Sequence, residues 1–368
     1  MFFGAGNLIF PPVVGISSGQ NFWMGLGGFL ATSVALPLIG LIAIILFNGD
    51  YEAFFNRIGR WGGFLLILFS MFVIGPLVAM PRIVTLTYEF LTPFMPAISL
   101  PVFSVLFCAL TFFAIYKESK VMNILAYVIT PALLGSLGII IVKGLLSPAS
   151  LAQVDTPPLS VFLEQTKRGY LTLDLLGALF FGFLTLTLLK KSFDGDDEYS
   201  LKKLAIIAMK SGFIACLLIG LLYVGLAFLG AFHGQEFAHL SAAQLFITVC
   251  IKVMGAHGGF IIATAASLAC YSTLMALAVV LAEFIEDKVT NHRLSYTKSL
   301  ILVLAATSFI SCYGLTTIMS SSSTFINTLY PVIITLTFCN LAYKLWGFKP
   351  VKVPVILTLL ISIYCNFF

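Results

Sequence analysis

The stretch "FFGAGNLIFPP" (Phe2–Pro12) is apolar enough for lipid yet badly suited to an unbroken helix. Gly4 and Gly6 flank Ala5, Asn7 follows, and Pro11–Pro12 are expected to end the helix. Glycine permits irregular backbone and leaves its peptide groups exposed. In hydrocarbon an unsatisfied peptide group costs several kcal/mol, so such a break persists only where it faces protein, a ligand or a water-filled cavity. The plain alternative is a kinked helix whose small residues allow close packing. The rest of the chain has to decide between the two.

That remainder is overwhelmingly apolar. Of 368 residues, 60% are hydrophobic and 10% charged, whereas soluble domains carry about 25% charged residues. No water-soluble core hides this much apolar surface, so lipid is the expected solvent. The net charge of +5 then reports topology, not a nucleic-acid partner. The seven cysteines lack C-x-x-C spacing and read as small hydrophobes. The four histidines form no HExxH-like pair, and no Walker, G-x-S-x-G or zinc signature occurs. An enzyme is therefore disfavoured, and no cofactor is expected.

A helix needs about 20 apolar residues to cross a bilayer. Runs near that length lie at 22–47, 62–88, 100–116, 121–142, 169–189, 204–231, 257–283, 297–313, 318–343 and 353–368, and with the opening segment at 1–16 they make eleven. A cytoplasmic start puts fifteen Lys/Arg on the inner side and five on the outer side, namely Arg82, Lys143, Lys167, Arg168 and Lys252. This is the bias of the positive-inside rule. Residues 240–254 place Ser241, Gln244, Thr248 and Lys252 on one helical face, which predicts an amphipathic helix lying on the outer side. The largest loops are expected at 143–168, outside, and 190–203, inside.

A second break candidate is "GALFFG" (Gly177–Gly182) in the sixth span, although two glycines at this spacing also suit ordinary helix packing. Position adds weight. The first span runs outward and the sixth inward, with five spans in each unit. Interrupted helices at matching places in oppositely oriented halves point to an inverted-repeat secondary transporter. The predicted fold is an all-α membrane protein in one transmembrane domain, with repeats at 1–146 and 169–345 and an extra, incomplete span at 353–368.

Further candidates are polar residues in apolar surroundings. Ser272 and Thr273 lie one turn beyond the Ala269 carbonyl, and such oxygens suit a hard cation; hydroxyl back-bonding onto the preceding turn is the alternative. Asp174 lies about 7 Å into the sixth span at helical rise, either in an outer vestibule or as an interfacial helix-start acid. Arg82, with Glu89 seven residues on, reads as an outer-gate ion pair or as a side chain snorkelling to the interface.

The motifs "FFGAGNLIFPP", "GQNFW", "GPLVAMPR" and "GYLTLDLLGALFFG", with the hydroxyl pair before "AEFIED", occur in one order along nearly the whole chain. Together they resemble the branched-chain amino acid carrier family, bacterial transporters of leucine, isoleucine and valine coupled to sodium or protons, within the five-plus-five inverted-repeat superfamily. The resemblance implies that backbone around Phe3, Gly4, Ala5 and Gly6, with Asn7, meets the substrate's amino and carboxylate groups. It implies one cation site from the Phe2 carbonyl and the Asn7 side chain. A second would use the Phe3 and Ala269 carbonyls and the Ser272 and Thr273 hydroxyls. Phe180 and Phe181, between Gly177 and Gly182, would line or lid an apolar pocket. The superfamily's gate arginine after Gly-x-Gly-Asn has no counterpart, because "LIFPP" is wholly apolar. Members have twelve spans and a charged leader, so the resemblance also implies a chain shortened at both ends.

The expected function is cation-coupled uptake of leucine, isoleucine and valine across the bacterial plasma membrane. The N-terminus is expected in the cytoplasm, sodium is the favoured ion, and no obligate protein partner is expected besides membrane lipid. Proton-coupled transport of other apolar amino acids, a channel or facilitator, and a membrane-embedded enzyme are the competing readings. A channel needs a continuous polar stripe and an enzyme needs converging acids, histidines or a metal motif; neither pattern is visible.

Overall fold

The computed structural model describes residues 5–116, 130–147, 151, 156–192 and 198–367, and no strand occurs among them. Phe2, Phe3 and Gly4 lie outside the described residues, as do the start of the predicted fifth span and part of the 190–203 loop.

The first span is α1, Ala5–Ser18. It runs through Pro11 and Pro12 instead of ending there. Proline's fixed φ suits a helix, so each proline omits one rung of the ladder without forcing a stop when neighbouring helices hold the segment. A turn at Gly19–Asn21, with Gly19 at φ +46°, leads into the second span. That span comprises α2 (Phe22–Leu30) and α3 (Leu36–Leu46), joined through a wide turn at Ala31–Ala35. The short α4 (Tyr51–Phe55) follows, its first turn capped by the Asp50 carboxylate, which accepts from the Ala53 N–H at 2.8 Å.

The third span is α5 (Arg60–Phe72) and α6 (Ala79–Leu91). Between them the chain kinks at Gly75, whose φ of −100° and ψ of −133° are non-helical, immediately before Pro76. Then come α7 (Leu100–Tyr116), α8 (Thr130–Leu145), α9 (Pro158–Tyr170), α10 (Asp174–Ser192) and α11 (Glu198–His233). The chain continues with α12 (Ala242–Phe284), α13 (Tyr296–Ser311), α14 (Leu315–Trp346) and α15 (Lys352–Phe367). Gly314, at φ +81°, separates α13 from α14.

The expected amphipathic helix is the first part of α12. Gln244 and Lys252 are exposed while Ala243, Phe246, Ile247 and Cys250 are buried. The joint to the eighth span is Gly255, at φ 77° and ψ 173°. This region is open essentially to glycine alone, and forcing another residue into it costs about 1–3 kcal/mol. Gly255→Ala is therefore expected to lower the melting temperature of the purified protein in detergent.

The sixth span departs from expectation. Residues 158–168, expected as loop, belong to the helix Pro158–Tyr170. Its charged residues lie off the packing face: Glu164 and Arg168 pair at 3.0 Å, while Val161, Gln165 and Gly169 are buried. The break in this span falls at Leu171–Leu173, not at Gly177–Gly182, which lies inside continuous α10.

Two helix contacts echo each other across the fold. α1 packs extensively on α11, and α9 packs extensively on α2. A Cβ on Gly15 would fall 1.9 Å from the Ala227 carbonyl oxygen, and one on Gly230 would fall 2.1 Å from the Pro12 carbonyl oxygen. In the second contact, a Cβ on Gly28 would lie 2.3 Å from the Phe162 carbonyl oxygen, and one on Gly169 would lie 1.9 Å from the Thr32 hydroxyl. The first and sixth spans thus each press backbone to backbone on the second span of the opposite unit, as an inverted repeat requires. Large apolar side chains such as Leu106, Leu110, Phe213, Leu217 and Leu221 remain exposed on the perimeter, the arrangement lipid demands.

Candidate functional site

The three residues between α9 and α10 organise the centre of the molecule. Leu173 has φ +62°, a left-handed conformation that costs a non-glycine residue about 1–2 kcal/mol. Breaking the helix here strands backbone groups, and side chains from two other spans answer them. The Arg82 guanidinium of α6 donates from Nη1 to the Leu171 carbonyl at 2.6 Å. The Tyr330 hydroxyl of α14 accepts from the Leu175 N–H at 3.0 Å. Within the break, the Thr172 hydroxyl donates to the Gly169 carbonyl at 2.9 Å. Among the described residues Gly177–Gly182 has no comparable set of partners, and the interruption begins six residues before Gly177.

Asp174 opens α10 at this break. Its carboxylate accepts from the Tyr223 hydroxyl of α11 at 2.9 Å and is hydrogen-bonded by the Asn7 side chain of α1. A carboxylate at a helix N-terminus and a guanidinium at the end of the preceding half-helix both sit where the half-helix dipoles favour them. Neither charge snorkels to an interface: Arg82 is 5% exposed and Asp174 9%. Glu89 does not pair with Arg82. It instead accepts from the Ser241 hydroxyl and the Gln244 N–H, fastening the start of α12 to the end of α6.

Around Arg82 and Asp174 is a cavity of about 70 Å³, lined also by Gly6, Asn7, Ile74, Ala79, Ile83, Thr172, Leu173, Gly177, Phe181, Thr273 and Leu277. It is smaller than the roughly 300 Å³ at which ligand pockets begin, so admitting an amino acid requires it to widen. A Cβ on Gly6 would crowd the guanidinium, lying 3.2 Å from Arg82 Nη2 and 3.3 Å from the Phe10 ring.

Of the expected site residues, Gly6, Asn7, Gly177, Phe181 and Thr273 meet at this cavity, together with Arg82 and Asp174. Ala5 begins α1 beside them. Phe180 turns away, about 100° round the helix from Phe181, and stacks on Phe55 with ring centroids 5.8 Å apart. It lines a separate cavity of about 450 Å³ on the α4 side, with Tyr51, Glu52, Glu283, Asp287 and Lys288. Gly182 also lies apart, against α3, where a Cβ would come within 2.8 Å of Ile44. Ala269, Ser272 and Thr273 do converge: Ser272 Oγ lies 2.8 Å and Thr273 Oγ1 3.0 Å from the Ala269 carbonyl oxygen. The contacts are those of back-bonded hydroxyls, and they also gather three oxygens of the kind a hard cation takes.

Thr172, Tyr223 and Tyr330 were not legible as site residues. Their hydroxyls lie in apolar runs, and only the folded chain brings Tyr223 to Asp174 and Tyr330 to the Leu175 N–H beside Thr172. Tyr223→Phe should be felt. It removes a buried donor to a carboxylate, a bond of about 1.5–3 kcal/mol, and a fall in detergent melting temperature together with impaired transport is the expected result.

A buried, charged cavity at a broken half-helix, enclosed by paired spans of opposite orientation, is the arrangement of a secondary transporter. The profile of the branched-chain amino acid transport protein family matches residues 1–367. The chain belongs to that family. Among its relatives, the Bacillus subtilis branched-chain amino acid permease BrnQ is 29% identical over 359 residues, covering 95% of this chain and 80% of that protein. The B. subtilis branched-chain amino acid permease BraB is 31% identical over 359 residues, covering 94% and 78%. The Pseudomonas aeruginosa branched-chain amino acid transport system 2 carrier protein is 29% identical over 371 residues, covering 98% and 83%.

Solved structures agree on the fold. MhsT in complex with L-phenylalanine superposes with a TM-score of 0.59 at 15% identity, covering 99% of this chain and 96% of that one. A Na+-coupled sialic acid symporter gives 0.50 at 14% identity, covering 98% and 88%. As in its relatives, this family member is a membrane transporter and not an enzyme.

Proposed function

We propose that the chain is a cation-coupled symporter that carries leucine, isoleucine and valine into the bacterial cell by alternating access, with sodium as the favoured ion. The observation that carries the reading is one cavity bounded by a broken half-helix, Thr273 of the Ala269–Ser272–Thr273 oxygen set, and apolar walls. A zwitterion needs polar groups at one end and apolar walls at the other, and Ile74, Ile83, Phe181 and Leu277 supply the walls. Because Thr273 borders the cavity, cation and substrate would lie close enough for each to favour the other's binding, which is thermodynamic coupling. The expected orientation, from the lysine and arginine distribution, has the α4 side in the cytoplasm.

The family name and the relatives' names support the substrate class. Proton coupling has its own support in the buried Asp174 carboxyl, which borders the same cavity. The deciding experiment is uptake of labelled leucine into proteoliposomes with sodium and proton gradients imposed and collapsed separately. Sodium coupling predicts accumulation that follows the sodium gradient alone. Accumulation that follows only the proton gradient would reassign the ion, and uptake indifferent to both would overturn symport. Isoleucine and valine should compete with leucine, because one methylene in an apolar pocket is worth only about 1–3 kcal/mol.

A further inference from the structure

We propose that Arg82 and Asp174 form a zwitterion clamp, the guanidinium taking the α-carboxylate of the substrate and the carboxylate taking its α-ammonium. The proposal rests on the reading of the substrate as an aliphatic amino acid and assigns the groups that recognise its charged end. It differs from recognition by unwound backbone, because two ionisable side chains of opposite sign bound the cavity.

Both side chains are buried, and they reach the same cavity from different spans. Among the described residues, the ion pairs within 4 Å do not include one between them. Each is held by uncharged partners instead. Arg82 donates to the Leu171 carbonyl and lies 5.7 Å from the Phe10 ring centroid, while Asp174 accepts from Tyr223 and is bonded by Asn7. The Arg82 Nε–H, fully buried, has no acceptor among the described residues. The guanidinium, which borders the cavity, thus has one donor that the described residues leave unused.

A lone charge at membrane depth is costly and marks a functional position. Two side chains of opposite sign bordering one cavity, without an ion pair between them, suit a molecule that carries both opposite charges itself. A zwitterion inserted between them forms two charge-assisted contacts and brings no net charge into the membrane. A carboxylic acid or an amine of the same shape satisfies one residue and leaves the other unmatched. Such unmatched buried groups are what give polar sites their large discrimination.

Three ligands separate the terms: leucine, 4-methylpentanoate, which lacks the ammonium, and 3-methylbutylamine, which lacks the carboxylate. Binding to the purified full chain is measured in detergent by competition and by thermal stabilisation. Wild type is expected to prefer leucine to either analogue by about a hundredfold or more. Asp174→Asn should weaken leucine by about tenfold or more while leaving 4-methylpentanoate within about threefold, and Arg82→Gln should do the same with respect to 3-methylbutylamine. The doubly neutral variant, Arg82→Gln with Asp174→Asn, buries no lone charge and should fold. It is expected to bind leucine about tenfold or more weakly than wild type.

A double variant that binds leucine like wild type would show that the pair serves only the fold. Single variants that lose all three ligands in equal proportion would say the same. Wild type that binds either analogue about as tightly as leucine would overturn the clamp whatever the variants do. Wild type that binds no branched-chain amino acid would instead overturn the substrate reading.

Discussion

Gly15→Leu and Gly230→Leu should each leave little folded protein. The α1–α11 contact is a backbone-to-backbone approach, and even the first side-chain carbon has nowhere to go. A Cβ on Gly15 would lie 1.9 Å from the Ala227 carbonyl oxygen and 2.9 Å from the Ala231 nitrogen. From the other side, a Cβ on Gly230 would lie 2.1 Å from the Pro12 carbonyl oxygen. These obstacles are main chain, so no rotamer change relieves them and the helices must separate. In lipid, separation is not resisted by a hydrophobic effect between helices; close packing is itself the attraction. Overpacking a well-filled site costs about 1–3 kcal/mol and more when backbone must move. Loss of a monodisperse species on size-exclusion chromatography is the expected readout. Gly27→Leu is the control: a Cβ there meets nothing within 4 Å, and the variant should behave like wild type.

The second large effect is on ion dependence. Removing both hydroxyls with Ser272→Ala and Thr273→Ala should raise the sodium concentration for half-maximal leucine uptake by about tenfold or more, the equivalent of one interaction with a charged group of about 1.5 kcal/mol. Expression should change little, because a hydroxyl that only back-bonds to its own helix contributes almost nothing to packing. The two roles of the pair are thereby separable. Unchanged sodium dependence at normal expression would mean that the 2.8 and 3.0 Å contacts to the Ala269 carbonyl are back-bonding and nothing else. A matched shift in proton dependence would point to Asp174 as the ion-linked group instead.

Several features were legible because they depend on local chemistry alone. The apolar runs predict the membrane spans, since crossing a bilayer requires about 20 apolar residues wherever they pack. Residues 240–254 could be separated from the eighth span because their polar face recurs at helical spacing, and Gly255 is the joint. Gly6 and Asn7 stood out as small and amide-bearing residues in an apolar run, and they line the central cavity.

The failures share a different cause. The sixth-span break was sought at glycines, but in lipid a helix breaks where other chain segments supply hydrogen bonds, and Arg82 and Tyr330 supply them around Leu171–Leu173. Residues 158–168 read as loop because their charges are counted along the sequence, while their buried face emerges only against α2. Phe180 and Phe181 are equivalent in the sequence, yet α10 sends one towards the α4 side and the other into the central cavity.

By itself, the sequence determined that this chain lives in lipid, which runs are apolar enough to span it, and which motifs ally it with branched-chain amino acid carriers. Hydropathy and glycine content act through one segment at a time, and a single segment shows them. Only the tertiary structure decided where the sixth span opens and that Arg82 and Asp174 are central, buried and directed at one cavity. A charge in hydrocarbon is tolerated according to what surrounds it, and its surroundings here come from spans far apart in the chain.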